Sequence, residues 1–111
     1  MSVDLLSKRC LACEAGVPPL AADKIKQLLS QVETWSTNND NTVITRRFSF
    51  KNFYQTMGFV NAVAWIANKE NHHPDLEVGF NYCVVNFTTH AIKGLTENDF
   101  ICAAKINALL F

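Results

Sequence analysis

The sequence predicts one α+β domain: a four-stranded, mostly antiparallel sheet covered on one face by three helices, in the order α-β-β-α-β-β-α. Three observations predict it. Apolar residues recur at helical spacing in three separate stretches, they alternate with period two between those stretches, and clusters rich in Asn, Asp and Gly divide the two patterns. At 111 residues and 49% hydrophobic, the chain suits a single core and leaves no room for a second. There is no internal repeat or low-complexity tract.

Residues 1–19 show no sustained periodicity and end in Gly16-Val17-Pro18-Pro19, so they are read as an irregular arm before a domain over 20–111. From Ala21, the residues Ile25, Leu28, Leu29 and Val32 fall at i, i+3, i+4 and i+7, which predicts a first helix ending near Trp35. Ser36 to Asn41 is a polar cluster whose Asn and Asp side chains favour turns, and it is expected to separate helix from sheet. Of the two strands expected before the second helix, alternation locates one, Thr42 to Phe50. Its Ile44, Phe48 and Phe50 share one parity, and Thr45, Arg47 and Ser49 the other. Arg46 interrupts the apolar parity. Either it lies near an open strand end, or it is a partnered charge at an interface; the long side chain favours the first.

Asn52 and Gln55 have capping-box spacing, and the stretch Phe53 to Lys69 carries apolar groups over a broad arc, which predicts a deeply buried second helix. Asn71 suits a left-handed helix closure and Pro74 forbids continuation, so His72 and His73 fall just past the helix end. Leu76, Val78 and Phe80 alternate in one strand and Cys83, Val85, Phe87 and Thr89 in the next, with Asn81-Tyr82 as the tight turn. His90 leaves that strand on the parity opposite Val85 and Phe87. Thr96 and Asp99 then form a capping-box pattern opening a last helix, with Phe100, Ala103, Ala104, Ile106 and Leu110 on its apolar side.

Ten basic and ten acidic residues cancel, so no broad field would hold a nucleic acid backbone or an anionic membrane. Met1 to Arg9 lacks the apolar run of a signal peptide. Phe59 to Ala67, the most apolar stretch, is far shorter than the roughly 20 residues a membrane helix needs. A cytoplasmic protein with reduced thiols is the expectation for Cys10, Cys13, Cys83 and Cys102. Cys10 and Cys13 have zinc-knuckle spacing but no second pair nearby, so an ordinary segment is favoured over a metal site.

All three histidines fall within nineteen residues, and His72 and His73 stand together at a helix exit before proline. By themselves they fit surface or packing roles as readily as catalysis. The wider spacing is more specific: His72-His73-Pro74, five residues, Phe80, nine residues, His90, eight residues, Asp99. This pattern resembles the signature of the pterin-4a-carbinolamine dehydratases. Phe48-Ser49-Phe50-Lys51-Asn52-Phe53 with Gly58-Phe59 is similar to that family's strand-to-helix junction, and Gly94-Leu95-Thr96-Glu97-Asn98-Asp99 to the entry of its final helix. The resemblance spans about Leu20 to Leu110. It departs at Asn68, where the family commonly has an acidic residue; Glu70 is a nearby substitute, but it should project from another side of the helix.

The resemblance implies dehydration of 4a-hydroxytetrahydrobiopterin or a related carbinolamine to the quinonoid dihydropterin, serving an aromatic amino acid hydroxylase. Such chemistry needs an acid for the leaving hydroxyl and a base for the N5 proton, and imidazole supplies both near neutrality without a cofactor or metal. His72 and His90 are then the proton-transferring pair, His73 stabilises the hydroxyl or ring, and Asp99 orients an imidazole, caps the last helix, or both. Pro74, Thr89, Ala91 and Ile92 join the histidines as substrate-binding positions, with Asn68 in support. A homodimer or homotetramer is also implied, in keeping with the apolar ending Ala108-Leu109-Leu110-Phe111. Two other readings stand beside the enzyme: a protein-binding module, since a family relative is a dimerisation cofactor of a homeodomain transcription factor, and a zinc site built from His72, His73, His90 and a cysteine.

Overall fold

The computed structural model describes residues 2–12 and 16–110. Along these the elements are α1 (Ser2–Ser7), α2 (Ala22–Leu29), β1 (Ser36–Thr37), β2 (Ile44–Ser49), α3 (Phe53–Glu70), β3 (Asp75–Val78), β4 (Tyr82–Phe87) and α4 (Glu97–Asn107). The strands make one sheet in the order β1-β2-β4-β3, and every pairing is antiparallel. The register sets Ile44 opposite Phe87 and Phe48 opposite Cys83, which collects the apolar parity of both central strands on one face. Cys83, Val85 and Phe87 are fully buried there, while Tyr82, Val84 and Asn86 on the other face are half-buried. Against the apolar face pack Ile25 and Leu28 of α2, Phe59 and Val63 of α3, and Phe100, Ile101 and Ile106 of α4. This is the predicted α+β arrangement of helices on one side of a sheet.

Several elements differ from the sequence reading, each for a local reason. The first nineteen residues are not wholly irregular: Ser2–Ser7 is helical, and Leu5 joins the core beside α4. Six helical residues are too few for the periodicity test to register. Helix α2 stops at Leu29 instead of near Trp35. The chain then continues in tighter turns, with Gln31 N–H bonding Leu28 C=O at 3.0 Å and Val32 N–H bonding Leu29 C=O at 3.1 Å, which still buries Val32 and Trp35. Ser36 and Thr37, assigned to the turn, are the missing edge strand, so the polar Asn38–Asn41 cluster closes a strand hairpin. Asn38 Oδ1 accepts from the N–H groups of Thr42 and Val43 there, at 2.8 and 3.1 Å.

Arg46 is partnered within the chain, not sent to solvent. Its Nη1 donates to Asn107 Oδ1 at 2.7 Å and Glu33 C=O at 3.3 Å, and its guanidinium lies 4.5 Å over the Phe48 ring. The end of α4 reaches the sheet at this point, a neighbour that strand parity cannot show. At the start of α3, Asn52 caps Gln55 N–H at 2.8 Å as expected, but Gln55 Oε1 accepts from Lys51 N–H instead of closing the box on Asn52. Nor is α3 deeply buried: Thr56, Phe59, Val63, Ile66, Ala67 and Glu70 face inward, while Tyr54 is 87% and Trp65 65% exposed. Its apolar residues surround the helix, so their number overstated its burial. The β3–β4 turn is Gly79–Asn81, with Gly79 N–H bonded to Tyr82 C=O at 2.9 Å and Tyr82 already in the strand. Leu110 lies past the end of α4 and is exposed. Cys13 and Phe111 lie outside the described residues. No described helix is long and apolar enough to cross a membrane.

Candidate active site

His72 is placed by the way α3 ends. Asn71 adopts the left-handed conformation at φ 53°, ψ 43°, its N–H bonds Asn68 C=O at 3.3 Å, and His72 N–H reaches Ala67 C=O at 3.1 Å. These two bonds are the Schellman closure, and they fix the His72 backbone immediately after the helix. The ring stacks on Phe87 of the central strand at 5.7 Å and 6° between planes. Its Nε2 lies 2.6 Å from Asp99 Oδ1, with the histidine side chain 11% exposed and the aspartate completely buried.

Asp99 is the third residue of α4, held by a capping box with Thr96. Its Oδ2 accepts from Thr96 N–H at 3.0 Å and from the Thr89 hydroxyl at 2.9 Å. Thr89 Oγ1 also meets Thr96 Oγ1 at 2.8 Å. Thr89 is brought there by a closed loop in which Thr89 N–H bonds Gly94 C=O at 3.0 Å. Gly94 is required in that loop, since a Cβ there would sit 2.6 Å from Pro19 Cβ. Asp99 therefore does both things the sequence left open: it caps α4 and faces an imidazole.

This arrangement assigns the His72 tautomer. A carboxylate only accepts hydrogen bonds, and with Oδ2 taken by two donors, Oδ1 accepts from His72 Nε2–H. The nitrogen left to exchange a proton with a ligand is Nδ1. A neutral His72 is then a base through Nδ1, and the protonated ring an acid at the same atom, its charge balanced by a buried carboxylate.

A cavity of about 370 Å³ collects His72, His73 and His90 with Asn71, Thr88, Thr89, Ala91, Asn98, Leu11 and Ala12. Of the residues expected at the site, Asn68, Pro74, Ile92 and Asp99 do not line it, and Asp99 reaches it through His72. Ile92 turns into an adjoining depression of about 310 Å³ with Thr96 and Ile101. Pro74 follows the histidine pair and leads directly into β3. Phe80 of the signature spacing stands in the β3–β4 turn, 65% exposed, where its carbonyl accepts from Thr56 Oγ1 at 3.0 Å. His90 is exposed in the loop that Thr89 and Gly94 close. Asn68 meets His73, not His72, with Oδ1 3.3 Å from His73 Nε2.

Glu70 does not replace the acidic residue absent at 68. Its carboxylate accepts from Cys10 N–H at 2.8 Å and pairs with Arg9 at 3.0 Å and Lys105 at 3.8 Å. Burial pushes its carboxyl upward, but the Cys10 N–H bond and the Lys105 and Arg9 charges outweigh it and hold the group below the usual carboxylate value. Leu11, Ala12 and Asn98 were not anticipated from the sequence. The arm carries no periodicity, and Asn98 stands in an ordinary first helical turn. Among the described residues no group of three or more His, Cys, Asp or Glu side chains is placed to hold a metal ion.

Comparison with known proteins agrees with the motif. The family model described as pterin 4 alpha carbinolamine dehydratase matches residues 18–109. A Legionella pneumophila protein provisionally named pterin-4-alpha-carbinolamine dehydratase is 63% identical, over 99% of this chain and 98% of its own. One from Nitrosospira multiformis with the same provisional name is 58% identical, over 96% and 92%. Among solved structures, a Brucella melitensis protein described as a transcriptional coactivator/pterin dehydratase superposes with a TM-score of 0.80 at 32% identity, covering 84% of this chain and 99% of that one. With the family model spanning most of the chain and relatives at this identity over nearly full length, the chain belongs to the pterin-4-alpha-carbinolamine dehydratase family.

Proposed function

We propose that the protein dehydrates a 4a-hydroxytetrahydropterin, 4a-hydroxytetrahydrobiopterin in the first instance, to the quinonoid dihydropterin by histidine acid-base catalysis. The observation that carries this is the His72–Asp99 contact of 2.6 Å at the edge of a cavity that also holds His73 and His90. In the reaction the C4a–O bond breaks as the hydroxyl takes a proton and leaves as water. N5 loses its proton, and the electrons of that N–H bond form the C4a=N5 double bond. His72, through Nδ1, and His90 share the two proton transfers, with His73 stabilising the departing hydroxyl. Asp99 balances the charge on His72, and Thr89 and Ala91 border the substrate. Neither step calls for a metal or an organic cofactor. The substrate arises in a pterin-dependent hydroxylase, so the enzyme would recycle the pterin of an aromatic amino acid hydroxylase in the cytoplasm. Exposed Trp65, Leu109 and Leu110 favour a homodimer or homotetramer.

The test is turnover of enzymatically generated carbinolamine by wild type, His72→Ala and His90→Ala. Wild-type turnover with losses of about 100-fold or more in both variants supports the reading. Unaltered rates in both would sink it. A second reading, a protein-binding module, is favoured by the Brucella relative's description as a coactivator and by the exposed aromatic side of α3. A folded wild type without dehydratase activity would select it.

A further inference from the structure

We infer that the arm Lys8–Ala12 is a built wall of the substrate cavity, with Leu11 contacting the pterin and Asn98 positioning it. The inference rests on the pterin reading above and adds to it a specificity element outside the histidine motif.

From Lys8 to Leu11 each residue of this arm is tied down. Lys8 Nζ pairs with Glu97 at 2.9 Å, Arg9 with Glu70 at 3.0 Å, and Cys10 N–H donates to the same carboxylate at 2.8 Å. Asn98 then clamps Leu11 from both sides of the peptide: Oδ1 accepts from Leu11 N–H at 3.0 Å, and Nδ2 donates to Leu11 C=O at 2.6 Å. Asn98 is itself buried, so this amide is committed to a main chain that loses conformational freedom in the clamp.

What the clamp holds is an exposed leucine. Leu11 is 77% exposed, although its own backbone and that of Cys10 are anchored to buried polar groups. An arm packed only for stability would turn its one large apolar side chain into the core, as Leu5 does in α1. Instead Leu11, Ala12 and Asn98 line both the histidine cavity and the adjoining depression that contains Ile92, so the arm stands between the two. Among the described lining of the histidine cavity, Leu11 is the only large aliphatic side chain. A reduced pterin carries its polar atoms at its edge and at the 4a-hydroxyl, so it gains affinity from apolar contact on the rest of its ring surface, while the histidines and threonines serve the polar atoms. Leu11 supplies that contact, and covering it with substrate removes apolar surface from water.

The experiment is steady-state dehydration of the carbinolamine by wild type, Leu11→Ser, Leu11→Met and Asn98→Ala, with the melting temperature of each. Leu11→Ser is expected to raise KM about 5- to 10-fold with kcat within about twofold, because it removes contact made equally to ground and transition states. An unchanged melting temperature would accompany it, and Leu11→Met should restore KM. Asn98→Ala should raise KM to a similar degree, with some loss of stability. An unchanged KM in Leu11→Ser, or a fall in kcat as large as the rise in KM, overturns the inference even if Asn98→Ala folds poorly. A wild type that turns over while Leu11→Ser matches it rejects the arm alone. A wild type that does not turn over rejects the pterin reading and the arm's role with it.

Discussion

His72 and His73 are adjacent in the chain and end in opposite surroundings. His72 is largely covered, stacked on Phe87 and 2.6 Å from a buried carboxylate that two further donors hold in place. His73 is exposed, and its neighbour is the amide of Asn68 at 3.3 Å. Past the helix closure the two side chains part, His72 onto Phe87 of the sheet and His73 toward solvent. The difference teaches which partner each ring needs. A charge formed on a covered imidazole must be balanced, whereas water screens a charge on an exposed one and an amide is partner enough. The departure at Asn68 therefore falls beside the exposed histidine and not beside the covered one.

The strongest attempt to break this contrast is Asp99→Asn. It keeps the shape but removes the charge and the acceptor that fixes the His72 tautomer, so kcat should fall about 100-fold or more. Stability should fall by about 1–3 kcal/mol as the bonds from Thr89 and Thr96 lose a charged acceptor. Carbinolamine turnover and urea unfolding read the two effects, and a variant as fast as wild type would show that His72 works without its carboxylate. His73→Ala is expected to cost less, about tenfold in kcat, because the proposed role of this ring is to support the hydroxyl and not to drive the main proton transfer. A loss equal to that of Asp99→Asn would make the two histidines equivalent.

Asn68→Glu tests the exposed partner directly. A surface ion pair contributes roughly 0–1 kcal/mol, so the rate should change by less than about fivefold. A gain well beyond that would show that the amide limits His73. Glu70 gives the smallest effect and a pH dependence. Its folded-state value is depressed, so its contribution is complete above its unfolded value of about 4.3 and is lost as pH falls through the folded value. Urea midpoints of wild type and Glu70→Gln should differ at pH 7 and converge as the medium is acidified below about pH 4. A gap that stays constant over that range would mean the arm is held by something other than this charge.

Much of the site was legible because its positions obey local rules. The left-handed Asn71, the stop at Pro74 and the capping box at Thr96 and Asp99 all follow from backbone preferences of single residues. Interval matching then joined residues on three elements that no local rule connects. Less legible was whatever depended on a neighbour distant in sequence. Arg46 finds Asn107 across the sheet, Ile92 turns away from the histidines, and Glu70 spends its carboxylate on the arm. Exposed Tyr54 and Trp65 show the same limit, since composition records how apolar α3 is and not which side the sheet covers.

The sequence by itself determined the α+β class, the central strands, the helix closure before the histidines and the family spacing that links them to Asp99. These rest on periodicities and backbone preferences written into short stretches of chain. Only the tertiary structure decided that Asp99 faces His72 while Asn68 faces His73, and that an arm without periodicity borders the cavity. Such pairings depend on how helices lie on the sheet, where contacts between remote residues fix direction and distance together.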